Sequence, residues 1–251
     1  MAYPILDSSY LDSSLQLLCA LAIMAKAPRP GKVKTRLSPP LTPDQAAAIN
    51  TCFLRDTTAN IATLAKDGAC AGVISYTPVG DEYLFEGLLP QGYRLLPQRG
   101  DGFGERLLTT AQDLFSCGFS SVCLIDSDSP TVPREAIAMA VDALQQPGDR
   151  IVLGPSQDGG YYLIGMKHAH TAPFENITWS TASVFAETVA AIQAIGVELV
   201  TLPLWYDVDD AATLSILRAE LIDGLQPDFT SLPGYAADHS RRFLRQLDES
   251  A

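Results

Sequence analysis

Apolar residues fall along this chain in short blocks separated by longer periodic stretches. Residues 17–25 form a continuous apolar run of strand length, the pattern of a strand buried on both faces. Thr42-Pro43-Asp44-Gln45 then reads as a helix start, with Thr42 as N-cap, Pro43 at the first position and Gln45 completing a capping box. Ala47, Ile49, Phe53, Leu54, Thr57, Ile61 and Leu64 continue at helical spacing up to Gly68. Later blocks predict strands over 71–77, 93–96, 121–125, 150–153, 161–166 and 197–202. The stretches between them predict helices over 104–117, 133–144, 181–194 and 210–221, with a last amphipathic one over 238–247. Strand and helix alternate for most of the length, which argues for an α/β fold with a mostly parallel sheet and helices on both faces. The alternation breaks at 150–180, where two strands lie close together before the irregular TAPFENITWS stretch. Residues 1–15 read as a polar N-terminal arm and 16–251 as a single domain, with no internal repeat or linker.

Composition narrows the class. Seventeen Lys and Arg against 29 Asp and Glu give a net charge of −12, which disfavours nucleic acid and anionic membrane as partners. The N-terminus lacks the basic region of a signal peptide, and the run at 17–25 is too short to span a bilayer. The five cysteines are odd in number, and no pair has CxxC spacing. Reduced, mostly buried thiols in a cytoplasmic protein are the expectation.

Against that acidic background, Lys26, Arg29, Lys32, Lys34 and Arg36 stand within eleven positions just after the first strand, and no acid occurs between Asp12 and Asp44. Ligands of α/β sheets bind at the carboxyl ends of strands, so a cationic loop there suits a polyphosphate. A second cluster, Asp126-Ser127-Asp128-Ser129, ends another strand with two carboxylates, the oxygen ligands that Mg²⁺ prefers; an Asx turn leading into the next helix is the alternative, and the cationic loop favours the metal reading. A third, Asp207-Val208-Asp209-Asp210, opens a helix. Asp209 suits an N-cap with Asp210 at the positive end of the dipole, which leaves Asp207 unexplained except as a metal carboxylate. Residues 154–162, centred on Asp158-Gly159-Gly160, read by spacing as a hairpin turn. The Gly100-Asp101-Gly102-Phe103-Gly104 loop lacks the surroundings of a dinucleotide fingerprint, yet it precedes a helix N-terminus that could touch a base or phosphate. His168, His170 and His239 fit no metal or triad spacing, and neither GxSxG nor a P-loop occurs. Trp179 reads as an aromatic anchor that could also line an acceptor pocket.

Six ordered motifs, AKAPRPGKVKTRL, GDGFGERL, LIDSDSPTVP, LGPSQDGGYYLIGM, WSTASVF and DVDDAATL, resemble a bacterial glycosyltransferase-like family, the DUF2064 group of nucleotide-diphospho-sugar transferases. That family is similar in fold to GT-A glycosyltransferases and to nucleotidyltransferases such as the molybdenum-cofactor and phospholactate guanylyltransferases. The resemblance implies a GT-A-like fold and nucleotide phosphates wrapped by the first loop, with Ala25, Lys26, Lys34 and Arg36. It places Gln98, Gly100, Gly104 and Arg106 near the base, and a Mg²⁺ or Mn²⁺ ion on Asp128 and Asp209 with Asp207 beside them. Gln157, Gly159, Gly160 and Trp179 would face the acceptor, with Asp158 as base and Lys34 and Asp128 in the catalytic set. The closing motif departs from the family pattern, since Asp210-Ala211-Ala212-Thr213 stands where Thr-Pro-Glu-Asp is usual. The expected activity is metal-dependent transfer from a nucleoside-diphosphate sugar to a small-molecule acceptor. Nucleotidyl transfer from a nucleoside triphosphate, with release of pyrophosphate, is the alternative. A nucleotide-binding regulator without turnover is the third.

Overall fold

The apolar run at 17–25 forms β1 (Cys19–Lys26) at the centre of the sheet. The computed structural model describes residues 3–249. β1 is flanked in parallel by β2 (Cys70–Thr77) and β4 (Ser121–Ile125), and β3 (Arg94–Pro97) lies parallel outside β2. β6 (Tyr161–Met166) runs antiparallel between β4 and β5 (Arg150–Pro155), and β7 (Glu198–Thr201) completes the order β3-β2-β1-β4-β6-β5-β7. The close strand pair predicted at 150–166 is therefore a hairpin. Its turn lies at the carboxyl end of β5, the same edge as the carboxyl ends of β1 and β4.

Alternate side chains of β1 serve opposite faces, as the pleat demands. Leu21, Ile23 and Ala25 join a core with α1 (Pro43–Leu64), α3 (Arg134–Gln145), α5 (Ala211–Leu221) and α6 (Asp238–Glu249). Ala20 and Ala22 face the other core, with α2 (Phe103–Cys117) and α4 (Val184–Ala194). The capping box at Thr42 and Gln45 forms as predicted, with bonds of 2.8 and 3.2 Å. The expected cap at Asp209 does not form. Asp210 caps α5 instead, accepting from Ala212 N at 3.0 Å and Thr213 N at 2.9 Å, and Thr213 closes the reciprocal bond. This one-residue shift frees the Asp209 side chain for the site.

The N-terminal segment lies against the sheet edge. Leu6 N donates to Leu95 O and Leu95 N to Pro4 O, both at 2.8 Å, alongside β3. Residues 1–2 of the expected arm are outside the described residues. All five cysteines are free thiols, four of them buried. Among the described residues no helix is long and apolar enough to cross a membrane.

Candidate active site

Three segments converge on the carboxyl edge of the sheet. The loop after β1 brings the basic cluster, the end of β4 brings Asp126 and Asp128, and residues 205–209 cross from β5 to β4. That crossing is held by Trp205 N to Pro155 O at 3.0 Å and Val208 N to Asp128 O at 2.9 Å. It sets Asp207 beside the hairpin, where Ser156 Oγ donates to it at 2.7 Å, and Asp209 beside the basic loop.

The loop charges do not all face the cleft. Arg29 is drawn aside by the buried Asp81. Lys34 turns inward, with its side chain only 4% exposed. Its ammonium donates to Val208 O at 2.8 Å and lies 2.9 Å from both Asp128 Oδ1 and Asp209 Oδ1. Burial opposes the charge, but the two carboxylates outweigh it and hold the Lys34 pKa above its ordinary value. Lys34 also adopts the left-handed conformation at φ 47°, which is costly for a side-chain-bearing residue and persists only where contacts over-determine it.

Two adjoining cavities open at this edge. One, of about 410 Å³, is lined by Lys26, Lys32, Lys34, Arg36, Arg106 and Gln98, with Ala25 and Asn50. The other, of about 360 Å³, is lined by Asp126, Asp158, Asp207, Gly160, Tyr161 and Trp179. Asp128, Asp209, Arg36, Phe103, Met24 and Ser180 line both. One cleft thus divides into a cationic chamber and an acidic, aromatic one, with the Lys34–Asp128–Asp209 triad at the boundary. In the acidic chamber, burial and the nearby Asp128 push the Asp126 carboxyl well above its usual range, although Ser129 donates to it at 2.7 Å. Asp126 Oδ1 is buried without a partner. Burial, reinforced by Asp158 and Asp209, also raises Asp207 against the opposing Ser156 bond.

Other predicted residues lie at the walls or behind them. Gln98 donates to Ser75 O at 2.8 Å while lining the cationic chamber. Asp158 sits at the hairpin tip, accepting from Gly160 N at 2.8 Å. Gln157 is exposed and tied through its backbone to Trp205 O at 3.0 Å. Gly100, Gly104, Gln157 and Gly159 do not line either cavity. A Cβ at Gly104 would lie 2.6 Å from the Trp179 indole nitrogen, and one at Gly159 would lie 2.2 Å from Ala182 O. Both glycines therefore permit close packing that sets the acidic chamber's shape. Phe103, within the loop expected to touch a base or phosphate, and Ser180, beside the Trp179 anchor, line both chambers. Phe103 is exposed, and Ser180 adopts the left-handed backbone conformation at φ 63°.

The family model described as "Uncharacterized protein conserved in bacteria (DUF2064)" matches residues 60–181. A Desulfovibrio desulfuricans structure, provisionally named a nucleotide-diphospho-sugar transferase, matches with 30% identity over 92% of this chain and 95% of its own, at a TM-score of 0.77. The chain belongs to this family. Membership makes it an enzyme of the transferase class with a nucleotide-diphospho-sugar transferase fold. CMP:2-keto-3-deoxy-manno-octonic acid synthetase complexed with CTP shares that fold at 12% identity, covering 83% of this chain and 100% of its own, TM-score 0.54. So does 4-diphosphocytidyl-2C-methyl-D-erythritol synthase from Anaerococcus prevotii, at 11% identity, 84% and 99% coverage and TM-score 0.51. The comparison with curated proteins found no match.

Among the described residues no group of three or more His, Cys, Asp or Glu forms a ready metal cage. The donor chemistry nevertheless fits a hard divalent ion. Asp128 and Asp209 are partly exposed carboxylates, the oxygen ligands such an ion prefers, each with one oxygen engaged by the Lys34 ammonium, and a diphosphate would supply further oxygens.

Proposed function

We propose that this DUF2064 transferase moves a sugar from a nucleoside-diphosphate donor to a small-molecule acceptor, using Mg²⁺ or Mn²⁺. The observation that supports this reading is the divided cleft, cationic on one side and acidic on the other, with Asp128 and Asp209 shared. Lys26, Lys32, Arg36 and Arg106 offer preorganised positive charge to a diphosphate, with Gln98 and Asn50 on the same wall near the base. Asp128 and Asp209 would hold the ion, with Asp207 two residues before Asp209 and facing the acceptor. Such an ion, when bound, neutralises charge on the departing diphosphate. Lys34 supplies the positive charge that keeps the two carboxylates together. Asp158 presents its carboxylate in the acceptor chamber, where it takes the proton of the attacking hydroxyl.

Incubation with panels of sugar nucleotides and nucleoside triphosphates, with Mn²⁺ or Mg²⁺, tests the proposal. The expected result is acceptor-stimulated release of a nucleoside diphosphate, lost in Asp128→Ala. Pyrophosphate release would replace glycosyl with nucleotidyl transfer. Nucleotide binding that survives Asp128→Ala, with no product from any acceptor, would indicate a regulator.

A further inference from the structure

We infer that the acidic chamber takes a neutral, ring-shaped sugar or polyol as acceptor and rejects phosphorylated ones. The inference rests on the glycosyl-transfer reading and names its second substrate by chemistry. Five carboxylates line the chamber, Asp126, Asp128, Asp158, Asp207 and Asp209, against Arg36 as the one cation of its lining. A phosphate ester placed there would meet a single lining cation, Arg36, itself 3.9 Å from Asp209, against the surrounding acids, because Lys26, Lys32 and Arg106 belong to the other chamber. A metal ion on Asp128 and Asp209 would leave Asp126, Asp158 and Asp207 facing the acceptor.

The same walls suit hydroxyls on a ring. Carboxylates accept hydrogen bonds from hydroxyl groups without requiring charge on the ligand. Two lining residues, Asp126 and Tyr161, each hold a buried side-chain oxygen with no partner, so this part of the protein has unused hydrogen-bonding capacity. Trp179 packs edge-to-face with Phe103 at 5.2 Å and with Tyr161 at 6.5 Å between ring centres, an aromatic wall able to cover the C–H face of a ring. The volume of about 360 Å³ lies near the lower end for small-molecule pockets, sized for one ring rather than a chain of them.

Trp179 provides a readout that needs no turnover. The chain has two tryptophans, and the other, Trp205, is fully buried. Intrinsic fluorescence is titrated with glucose, N-acetylglucosamine and myo-inositol, and with the matched phosphate esters, using the full chain with Mn²⁺ and UDP or GDP. At least one neutral ring is expected to give a saturable change that disappears in Trp179→Phe, with its phosphate ester binding at least tenfold more weakly. Asp207→Asn is expected to narrow that ratio several-fold, an effect that loss of packing alone would not produce. Phosphate esters binding as well as their parents would overturn the inference, as would no response to any neutral ring. Failure of the glycosyl-transfer reading is separate: it appears as no nucleoside diphosphate release from any donor, and it leaves the fluorescence ratio standing.

Discussion

Replacing Lys34 by Met removes a charge while keeping an unbranched apolar stem of similar bulk. In the wild type the ammonium uses all three donors within 2.9 Å, on Val208 O, Asp128 and Asp209. Charge-assisted hydrogen bonds of a buried group are worth about 1.5–3 kcal/mol each, whereas exposed ion pairs contribute about 0–1 kcal/mol. The triad falls between these limits, because the lysine end is buried but Asp128 and Asp209 are 33% and 44% exposed and regain water. The left-handed backbone is retained by the variant, so its cost is unchanged. A net loss of about 2 kcal/mol follows, or roughly 4–8 °C in Tm for a chain of this size. Differential scanning fluorimetry at pH 7.5 measures it. The pH dependence has a defined sign. Lys34 titrates above its ordinary value in the folded protein, so its stabilisation is complete below the unfolded value of 10.5 and is lost as pH rises through the folded one. The gap between wild type and variant should therefore close at strongly alkaline pH. Mn²⁺ supplies a second arm. Without nucleotide it should raise the Tm of Lys34→Met more than that of wild type, because Asp128 and Asp209 have lost their resident counter-charge; saturation to 100 times Kd stabilises by about 2.7 kcal/mol. A Tm within 1 °C of wild type, with no differential response to Mn²⁺, would refute the triad's role.

Asp207→Asn removes a carboxylate whose pKa burial holds up, so the folded protein binds that proton more tightly and loses stability as pH rises from 3.8 through the raised value. The variant should gain about 1 kcal/mol, roughly 2–4 °C, at pH 7 and nothing near pH 3.5, while transfer falls; a loss of Tm at pH 7 counts against the argument. Gly159→Ala places a Cβ against the Ala182 backbone at a φ of +90°, so it should cost about 1–3 kcal/mol by urea unfolding and weaken acceptor saturation more than nucleotide binding. Asp56→Ala deprives the α6 N-terminus of bonds from His239 N, Ser240 N and Ser240 Oγ at 2.6–2.9 Å, and should cost about 2 kcal/mol with faster amide exchange across α6.

The fold was legible because its signals are local. The apolar block of β1 and the reciprocal cap at Thr42 and Gln45 depend on residues close in sequence, and Gly118, which ends α2, acts on its own backbone. The antiparallel placement of β6 was less visible. Close spacing at 150–166 indicates a hairpin, but its insertion between β4 and β5 depends on pairings with strands far away in the chain.

The site shows the same division more sharply. A stretch without acids between Asp12 and Asp44 suggests five free cations, yet charge balance along a sequence says nothing about partners across the sheet. Arg29 meets Asp81 and Lys34 meets Asp128 and Asp209, separations of 52, 94 and 175 positions, and Arg36 lies 3.9 Å from Asp209, so three of the five cations are already paired. The Asp209–Asp210 pair could have been resolved locally. Either residue can cap a helix, but only Asp210 has Thr213 at the third helical position to return the bond, and that reciprocity decides between them. Once Asp210 is committed to the helix, Asp209 has no local role. Its carboxylate is then available to the Lys34 ammonium, and through it the basic loop is joined to the end of β4.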